Sequence, residues 1–301
     1  QLNALPNAKV VFFGYDLLCP IEISIACRIK NIKTIATQER SIAAWQGFYF
    51  FVLDHYFVIN DEVRKFILIN GIGTIKNITT IGPVRSDLIN SQNVNEDHNN
   101  KIVMVLDMSS IPSTYDNGLR FIANWKHNYI FYDNILKLSQ KNPDINFVIK
   151  GKNYNFMNIP YFSDIKKIIE KSPNVKLYSD KNNSAYDLID KVALTIAAPS
   201  SLIDELLFKE NSIILYETVD GYPSNLSNYG KNLKNIIVKN YTDLESKFSS
   251  WKKDPKKFNE SIKIEANNIF ARSRLTNDVY KILHQHLEKF YQSDDSSNLS
   301  N

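Results

Sequence analysis

The chain has 301 residues, 44% of them hydrophobic, enough to bury large cores and long enough for about two domains. Its 36 basic and 32 acidic residues are spread along the sequence, so the formal charge of +4 offers no electrostatic case for a nucleic-acid partner. Cys19 and Cys27 are the only cysteines, with no Cys/His spacing suited to zinc, which reads as free thiols in a reducing compartment and excludes a disulfide framework.

In chain order, residues 9–15 form an apolar run of strand length, and residues 21–29 repeat Ile21, Ile25 and Ile29 at helical spacing behind Pro20. The alternation continues with strand 34–37, helix 41–53, strand 56–59, helix 61–70 and strand 78–82. Strands alternating with helices predict a parallel sheet with crossover helices. Residues 89–100 are polar and rich in Asn, which reads as a linker between domains. A second alternating series follows: strand 101–106, helix 129–141, strand 145–150, helix 161–171, strand 175–178, helix 184–190, strand 192–197, helix 200–209, strand 212–216 and strand 235–238. Two or three amphipathic helices between 243 and 291 close the chain, and 292–301 is a polar tail expected to stay disordered. The prediction is an α/β protein with two Rossmann-like domains, 1–92 and 101–291, whose parallel sheets face a cleft. The most apolar run, 48–60, is broken by Asp54 and His55 and falls short of the roughly 20 residues a spanning helix needs. No signal peptide is visible, so a cytoplasmic location is expected.

Open α/β sheets bind ligands beyond the carboxyl ends of their strands. Asp16, Gln38-Glu39-Arg40, Asp107, Lys150-Gly151-Lys152 and Ala198 to Ser201 all fall at such ends. The last of these is the most informative: the apolar run ending at Ala197 passes through Ala198-Pro199 into a helix that opens with Ser200 and Ser201. The free N–H groups and positive dipole end of a helix start favour an anion, and two hydroxyls can add hydrogen bonds. Glu205, one turn on and on the side of Ser201, can accept from ribose hydroxyls. The plainer reading is that Pro199 and Ser200 only start and cap a helix.

Four segments carry a resemblance: Asp16 to Ala26, Ile32 to Glu39, Ile81-Gly82-Pro83-Val84-Arg85-Ser86-Asp87-Leu88, and Ala198-Pro199-Ser200-Ser201 with Glu205. Together they resemble bacterial glycosyltransferases of the GT-B architecture that build capsule, lipopolysaccharide or teichoic-acid-like polymers, over residues 9–290. The resemblance implies that the Gly-Pro-x-Arg-x-Asp segment closes the first domain and that the Ser-rich turn and Glu205 hold the phosphate and ribose of a nucleotide-sugar donor. Many such proteins have Gln-His-Gly where this chain has Gln38-Glu39-Arg40, so no catalytic His carries over. Lys150-Gly151-Lys152-Asn153 stands where others have Lys-x-His-Pro, which leaves the donor open. The first domain is short for this architecture and reads as reduced or truncated.

Lys150 and Lys152 are candidates to stabilise a leaving phosphate, against a reading as solvated surface lysines. Glu39 and Asp16 are candidates for the general base, against helix capping or pairing with Arg40. There is no Asp-x-Asp motif, so neither a metal nor another cofactor is expected. Trp45, Phe48, Tyr49, Phe50 and Phe51 form an aromatic run that reads as core, with the path of a lipid-linked acceptor or peripheral contact with the inner face of the cell membrane as the alternative. His55 reads as a buried core histidine, and His284 and His286 as a poor metal pair. The expected partners are a nucleotide-sugar donor and a glycan or lipid-linked acceptor. The function expected is metal-independent glycosyl transfer, with a nucleotide-sugar 2-epimerase, a polyol-phosphate transferase and a non-catalytic binding or scaffold subunit as alternatives.

Overall fold

The computed structural model describes residues 7–14, 20–38, 52–70, 73–89, 101–107, 125–151, 154–178, 184–198, 200, 202–216, 233, 235–270 and 278–297. Its strands are β1 (Val10–Phe13), β2 (Lys33–Thr37), β3 (Val52–Val58), β4 (Thr74–Thr80), β5 (Ile102–Leu106), β6 (Asn146–Lys150), β7 (Val175–Leu177), β8 (Leu194–Ala197), β9 (Ile213–Tyr216) and β10 (Ile237–Val238). Its helices are α1 (Ile21–Ile29), α2 (Asp61–Asn70), α3 (Trp125–Lys141), α4 (Ser163–Lys171), α5 (Tyr186–Ile189), α6 (Leu202–Phe208), α7 (Tyr241–Lys253), α8 (Pro255–Phe270) and α9 (Val279–Ser297). The described residues fall into two compact units, one holding those up to Asp87 and from Ala266 onward, the other those from Leu88 to Glu265.

The first unit is built on a sheet of order β1-β2-β3-β4, parallel throughout. Each strand is laid beside the last in one direction, so right-handed crossovers put α1 and α2 on the same face. Ile35, Ala36, Tyr56 and Val58 are fully buried in this sheet. β3 begins at Val52, where the sequence predicts a helix running to Leu53. The strand tolerates Asp54 because its carboxylate accepts the Thr34 backbone N–H at 2.9 Å and the Lys76 ammonium at 2.6 Å. Burial pushes that carboxyl up, but Lys76 and Thr34 outweigh the effect and hold it below the ordinary carboxylate value. The expected aromatic helix through Trp45 to Phe51 lies outside the described residues. β4 starts at Thr74, earlier than the predicted 78, within a Thr- and Ile-rich run suited to a strand. Asn60 caps α2 by accepting the Val63 N–H at 2.8 Å. Cys27 is a buried free thiol; Cys19 lies outside the described residues.

The second unit holds a six-stranded parallel sheet of order β10-β9-β8-β5-β6-β7. Its strands are near-continuous apolar runs, as expected for a sheet covered on both faces, and β8 and β9 are buried along their whole length. α3, α4 and α7 share one face. Phe147 of β6 stacks on Phe248 of α7 at 5.9 Å, Phe162 ahead of α4 meets Tyr132 of α3, and Lys141 of α3 pairs with Glu245 of α7 at 2.6 Å. Burying each such Phe contributes about 1.5–3 kcal/mol relative to exposure. Asn174 fastens the end of α3 to the sheet by donating to the carbonyls of Ser139, Asn142 and Ile145. Ser212, just before β9, is hydrogen-bonded to Asn259 of α8.

The terminal helices depart from expectation. α7 and the first part of α8 belong with the second sheet, but from Ala266 onward the chain packs with the first unit and not with the 101–291 domain predicted for it. Two contacts explain this. Asp87 accepts the Tyr280 backbone N–H at 3.0 Å, so the Asp of the Gly82-Pro83-x-Arg85-x-Asp87 segment satisfies a free donor in the first turn of α9, beside Asp278, which accepts the Lys281 N–H. His55 and Phe57, two apart on β3 and therefore on one face, meet His286 and Phe290 of α9 at ring separations of 4.9–5.8 Å. The helix continues to Ser297, into the stretch predicted as a disordered tail. His55 is buried as expected. Its Nε2 bonds Thr79 Oγ1 at 2.9 Å, and its Nδ1 has no partner among the described residues. His284 lies 3.6 Å from Glu288 along the same helix. Burial, and then the charge of His286, push the His55 ring down to about 4. The unfolded chain protonates this histidine first, so the native state should lose stability as pH falls from about 6.5 toward about 4. His55→Gln, which keeps a partner for Thr79, should flatten that fall in thermal melts taken across the window; an equal fall in the variant would assign the acid sensitivity to other groups.

Candidate functional site

The order of the second sheet decides where a ligand can approach it. β5 comes first in sequence, β6 and β7 are added on one side of it, and β8, β9 and β10 on the other. With right-handed crossovers this reversal sends α3 and α6 to opposite faces and parts them beyond the carboxyl ends of β5 and β8, where open α/β sheets bind ligands. Asp107 after β5, Lys150 and Gly151 at the end of β6, and Ala198 and Ser200 after β8 lie at this edge.

Ser200 is half-buried. Its Oγ accepts the Leu202 N–H at 3.4 Å and its carbonyl the Ile203 N–H at 3.3 Å. It therefore caps the first turn of α6, and as an acceptor there it keeps its own O–H proton for another partner. Every residue of α6 is buried. Glu205 is 4% exposed, and the Tyr186 hydroxyl of α5 donates to its Oε1 at 3.5 Å. Lys150 is half-buried, and its ammonium folds back to donate to the Gly151 carbonyl at 3.1 Å, leaving two N–H groups available.

Tyr154 organises the ends of β6 and β7. Its hydroxyl accepts the Gly151 N–H at 3.0 Å and lies 2.7 Å from the Ile149 carbonyl and 3.0 Å from that of Tyr178, to which it can donate. Asp107 sits beside this post. The β5 ladder carries on past Leu106, with Asp107 N–H donating to the Lys150 carbonyl and Ala198 N–H to the Leu106 carbonyl. Leu106 is opposite Lys150, so Asp107 projects to the other face, toward α3 and its Tyr132. The carboxyl is 8% exposed. Burial pushes it up to about 7, against the downward pull of the Tyr132 hydroxyl, and neither oxygen makes a hydrogen bond of good geometry among the described residues. Burial, and then the Asp107 charge, in turn raise the Tyr132 hydroxyl far above its ordinary value.

Of the donor-site residues expected from the sequence, Lys150 and Ser200 lie at the carboxyl edge of the second sheet, and Glu205 lies within α6 of the same unit. Lys152, Pro199 and Ser201 lie outside the described residues, as do the base candidates Asp16 and Glu39. Gln38, next to Glu39, is buried and structural: its Oε1 accepts the Ile59 N–H at 3.0 Å. Tyr154 and Tyr186 escaped the sequence reading because tyrosines in loops and short helices carry no periodic signal. Asp107 was visible as a strand end, but nothing in the sequence gave its burial. Tyr154→Phe should destabilise the chain by about 1–3 kcal/mol, since it leaves the Gly151 N–H without its acceptor and removes the one hydroxyl proton shared between the Ile149 and Tyr178 carbonyls. Denaturant melts of the two forms check this, and equal midpoints would remove Tyr154 from the role of organising post.

Solved structures share this architecture. The UDP-GlcNAc 2-epimerase of Neisseria meningitidis, solved bound to UDP-GlcNAc, superposes with a TM-score of 0.60 at 14% identity, covering 96% of this chain and 80% of that one. MurG of Acinetobacter baumannii gives 0.54 at 9% identity over 94% and 75%. The wall teichoic acid polymerase TagF gives 0.55 at 13% over 90% and 70%. At such identities the likeness is one of fold, a GT-B-like pair of parallel sheets flanked by helices. No curated protein matches the sequence. Among the described residues no helix is long and apolar enough to cross a membrane. Residues 29–218, more than half of the chain, match the polysaccharide biosynthesis PFTS motif family, and the chain belongs to that family.

Proposed function

We propose that the chain is a glycosyltransferase of surface-polysaccharide synthesis that binds a nucleotide-sugar donor at the carboxyl edge of the second sheet and transfers its sugar to a glycan or lipid-linked acceptor without a metal ion. The observation that carries this reading is the reversal of strand order between β5 and β8, with Lys150 at the end of β6 and Ser200 after β8 on the carboxyl side of the sheet. The family is one of polysaccharide biosynthesis, and similar folds have been solved with UDP or UDP-GlcNAc bound. The chain has no Pro-Phe-Thr-Ser run; Ala198-Pro199-Ser200-Ser201, inside the matched residues, ends in the same pair of hydroxyls and is read as its counterpart.

In this reading Ser200, Ser201 and the N–H groups around Pro199 and the start of α6 hold the donor phosphates. Lys150, with Lys152, neutralises charge on the departing nucleoside phosphate. Glu205 accepts from the ribose hydroxyls. Glu39 or Asp16 takes the proton of the acceptor hydroxyl. A nucleotide-sugar 2-epimerase is the second reading, favoured by the fold likeness to the Neisseria enzyme. Fold alone does not separate the two. Such partners would fit a location in the cytoplasm or at the inner face of the cell membrane.

Thermal-shift and calorimetric titrations with UDP, CDP, GDP and dTDP test the donor site. One nucleotide should bind selectively, and Ser200→Ala combined with Ser201→Ala should weaken it at least tenfold while circular dichroism is unchanged. Unaltered affinity would remove the serines from the site. Binding of none of the four would favour a scaffold. With the selected nucleotide-sugar, release of nucleoside phosphate only when acceptor is present marks a transferase, and interconversion of sugar epimers without acceptor marks an epimerase. Glu39→Gln should keep donor affinity and lose turnover; retained turnover moves the base to Asp16 or elsewhere.

A further inference from the structure

We propose that Asp107 is a ligand-facing residue of the donor site, a buried carboxyl that makes no hydrogen bond of good geometry among the described residues and can bond hydroxyl or N–H groups of a nucleoside diphosphate sugar. The inference rests on the donor-site reading and adds a residue to it. Its first support is position. Asp107 is the first residue beyond β5, at the strand-order reversal, so it lies on the same carboxyl edge as Ser200 beyond β8. The second is burial with incomplete bonding: at 8% exposure neither carboxylate oxygen makes a hydrogen bond of good geometry among the described residues.

The third support is the small size of its neighbours in the sheet. One step beyond the paired residues Leu106, Lys150 and Ala197, the neighbours of Asp107 across the ladder are Gly151 and Ala198. They are the two smallest residue types, and they flank the carboxyl on its own face of the sheet. The titratable groups that act on it are the Tyr132 hydroxyl from α3, next to it, and the Tyr154 hydroxyl at the end of β6, which feels its charge. The ammonium of Lys150 is on the opposite pleat. No cation therefore offsets the charge of Asp107 among the described residues. A carboxyl so placed weakens the fold, and an apolar or amide side chain would serve packing better. Groups retained at the expense of stability at a ligand-binding edge are characteristic of function.

Asp107→Asn, nearly identical in shape, and Asp107→Leu are compared with the wild-type full chain in thermal melts and in titrations with UDP, CDP, GDP and dTDP. Near pH 8 the wild-type carboxyl carries its buried charge, so both variants should melt several degrees higher. The gain should shrink as pH falls from about 7 toward about 4, because holding the proton relieves the folded wild type of the same penalty. The nucleotide that binds the wild type should lose at least tenfold in affinity for both variants. If the diphosphate is unaffected and only its sugar conjugate is weakened, the bond is to the sugar and the assignment stands. Wild-type affinity for diphosphate and conjugate alike in the variants overturns the role of Asp107 and leaves the donor site intact. A lower melting temperature for Asp107→Asn makes the residue structural and overturns it as well. Failure of the wild type to bind any of the four sinks the donor-site reading, and the role of Asp107 falls with it.

Discussion

The handedness of parallel crossovers is the constraint on which the rest of the second unit depends. A right-twisted strand feeding a helix returns to the sheet with one hand, so the direction in which strands are added decides the face each helix covers. β6 and β8 lie on opposite sides of β5. That single reversal parts α3 from α6, and the backbone at the ends of β5 and β8 has polar residues where the helices cannot meet. In the first unit the described strands run β1 to β4 without reversal, and the face opposite α1 and α2 is covered by α9 through the His55, Phe57, His286 and Phe290 rings. The same rule thus yields a strand-order reversal with polar strand ends in one unit and a helix-docking face in the other.

The polar residues at the edge of the second sheet are held by unequal means. Ser200 and Lys150 each make one modest bond to nearby backbone, which fixes their position and leaves further donors available. Tyr154 spends its hydroxyl on three backbone groups and stiffens the strand ends. Asp107 differs from all of these, because its environment disfavours its charge and offers little compensation. An anionic ligand nearby would raise its proton affinity further, so a neutral Asp107 is compatible with a diphosphate where an ionised one would oppose it.

Much of the fold was legible in the sequence. β5, β6, β8 and β9 are apolar runs with no competing period, and the structure places each within a residue or two of its predicted bounds. Errors arose where a local pattern supports two structures or where partners are distant. The aromatic run ahead of Leu53 fits helix or strand, and Asp54 reads as a break until Lys76 and Thr34 are known to bond it. Helical periodicity in α9 gives an apolar stripe but not the sheet it covers; that depends on Asp87 and His55, far away in the chain. Ser200, Lys150 and Glu205 were legible because strand-end residues follow from strand assignments. Asp107 had the same signal, yet its significance lies in what surrounds it, and small neighbours such as Gly151 and Ala198 become informative only once the register is known.

The Gly82-Pro83-x-Arg85-x-Asp87 segment shows how a motif can be structural in a site-bearing fold. Gly82 adopts a φ of 98°, a conformation that a side chain would strain, and turns the chain out of β4. Pro83 then leads into a short 3-10 turn, Val84–Leu88, that delivers Asp87 to the first turn of α9. A carboxylate there satisfies a free backbone donor and complements the positive end of the helix, and its stabilising effect acts on whichever element α9 packs against. The described chain leaves the first unit at this point and α9 belongs to it, so one residue both ends the excursion of the chain through the first sheet and receives the helix that closes it. The sequence signal for a domain boundary is, in physical terms, a helix cap formed between residues 193 apart in the chain.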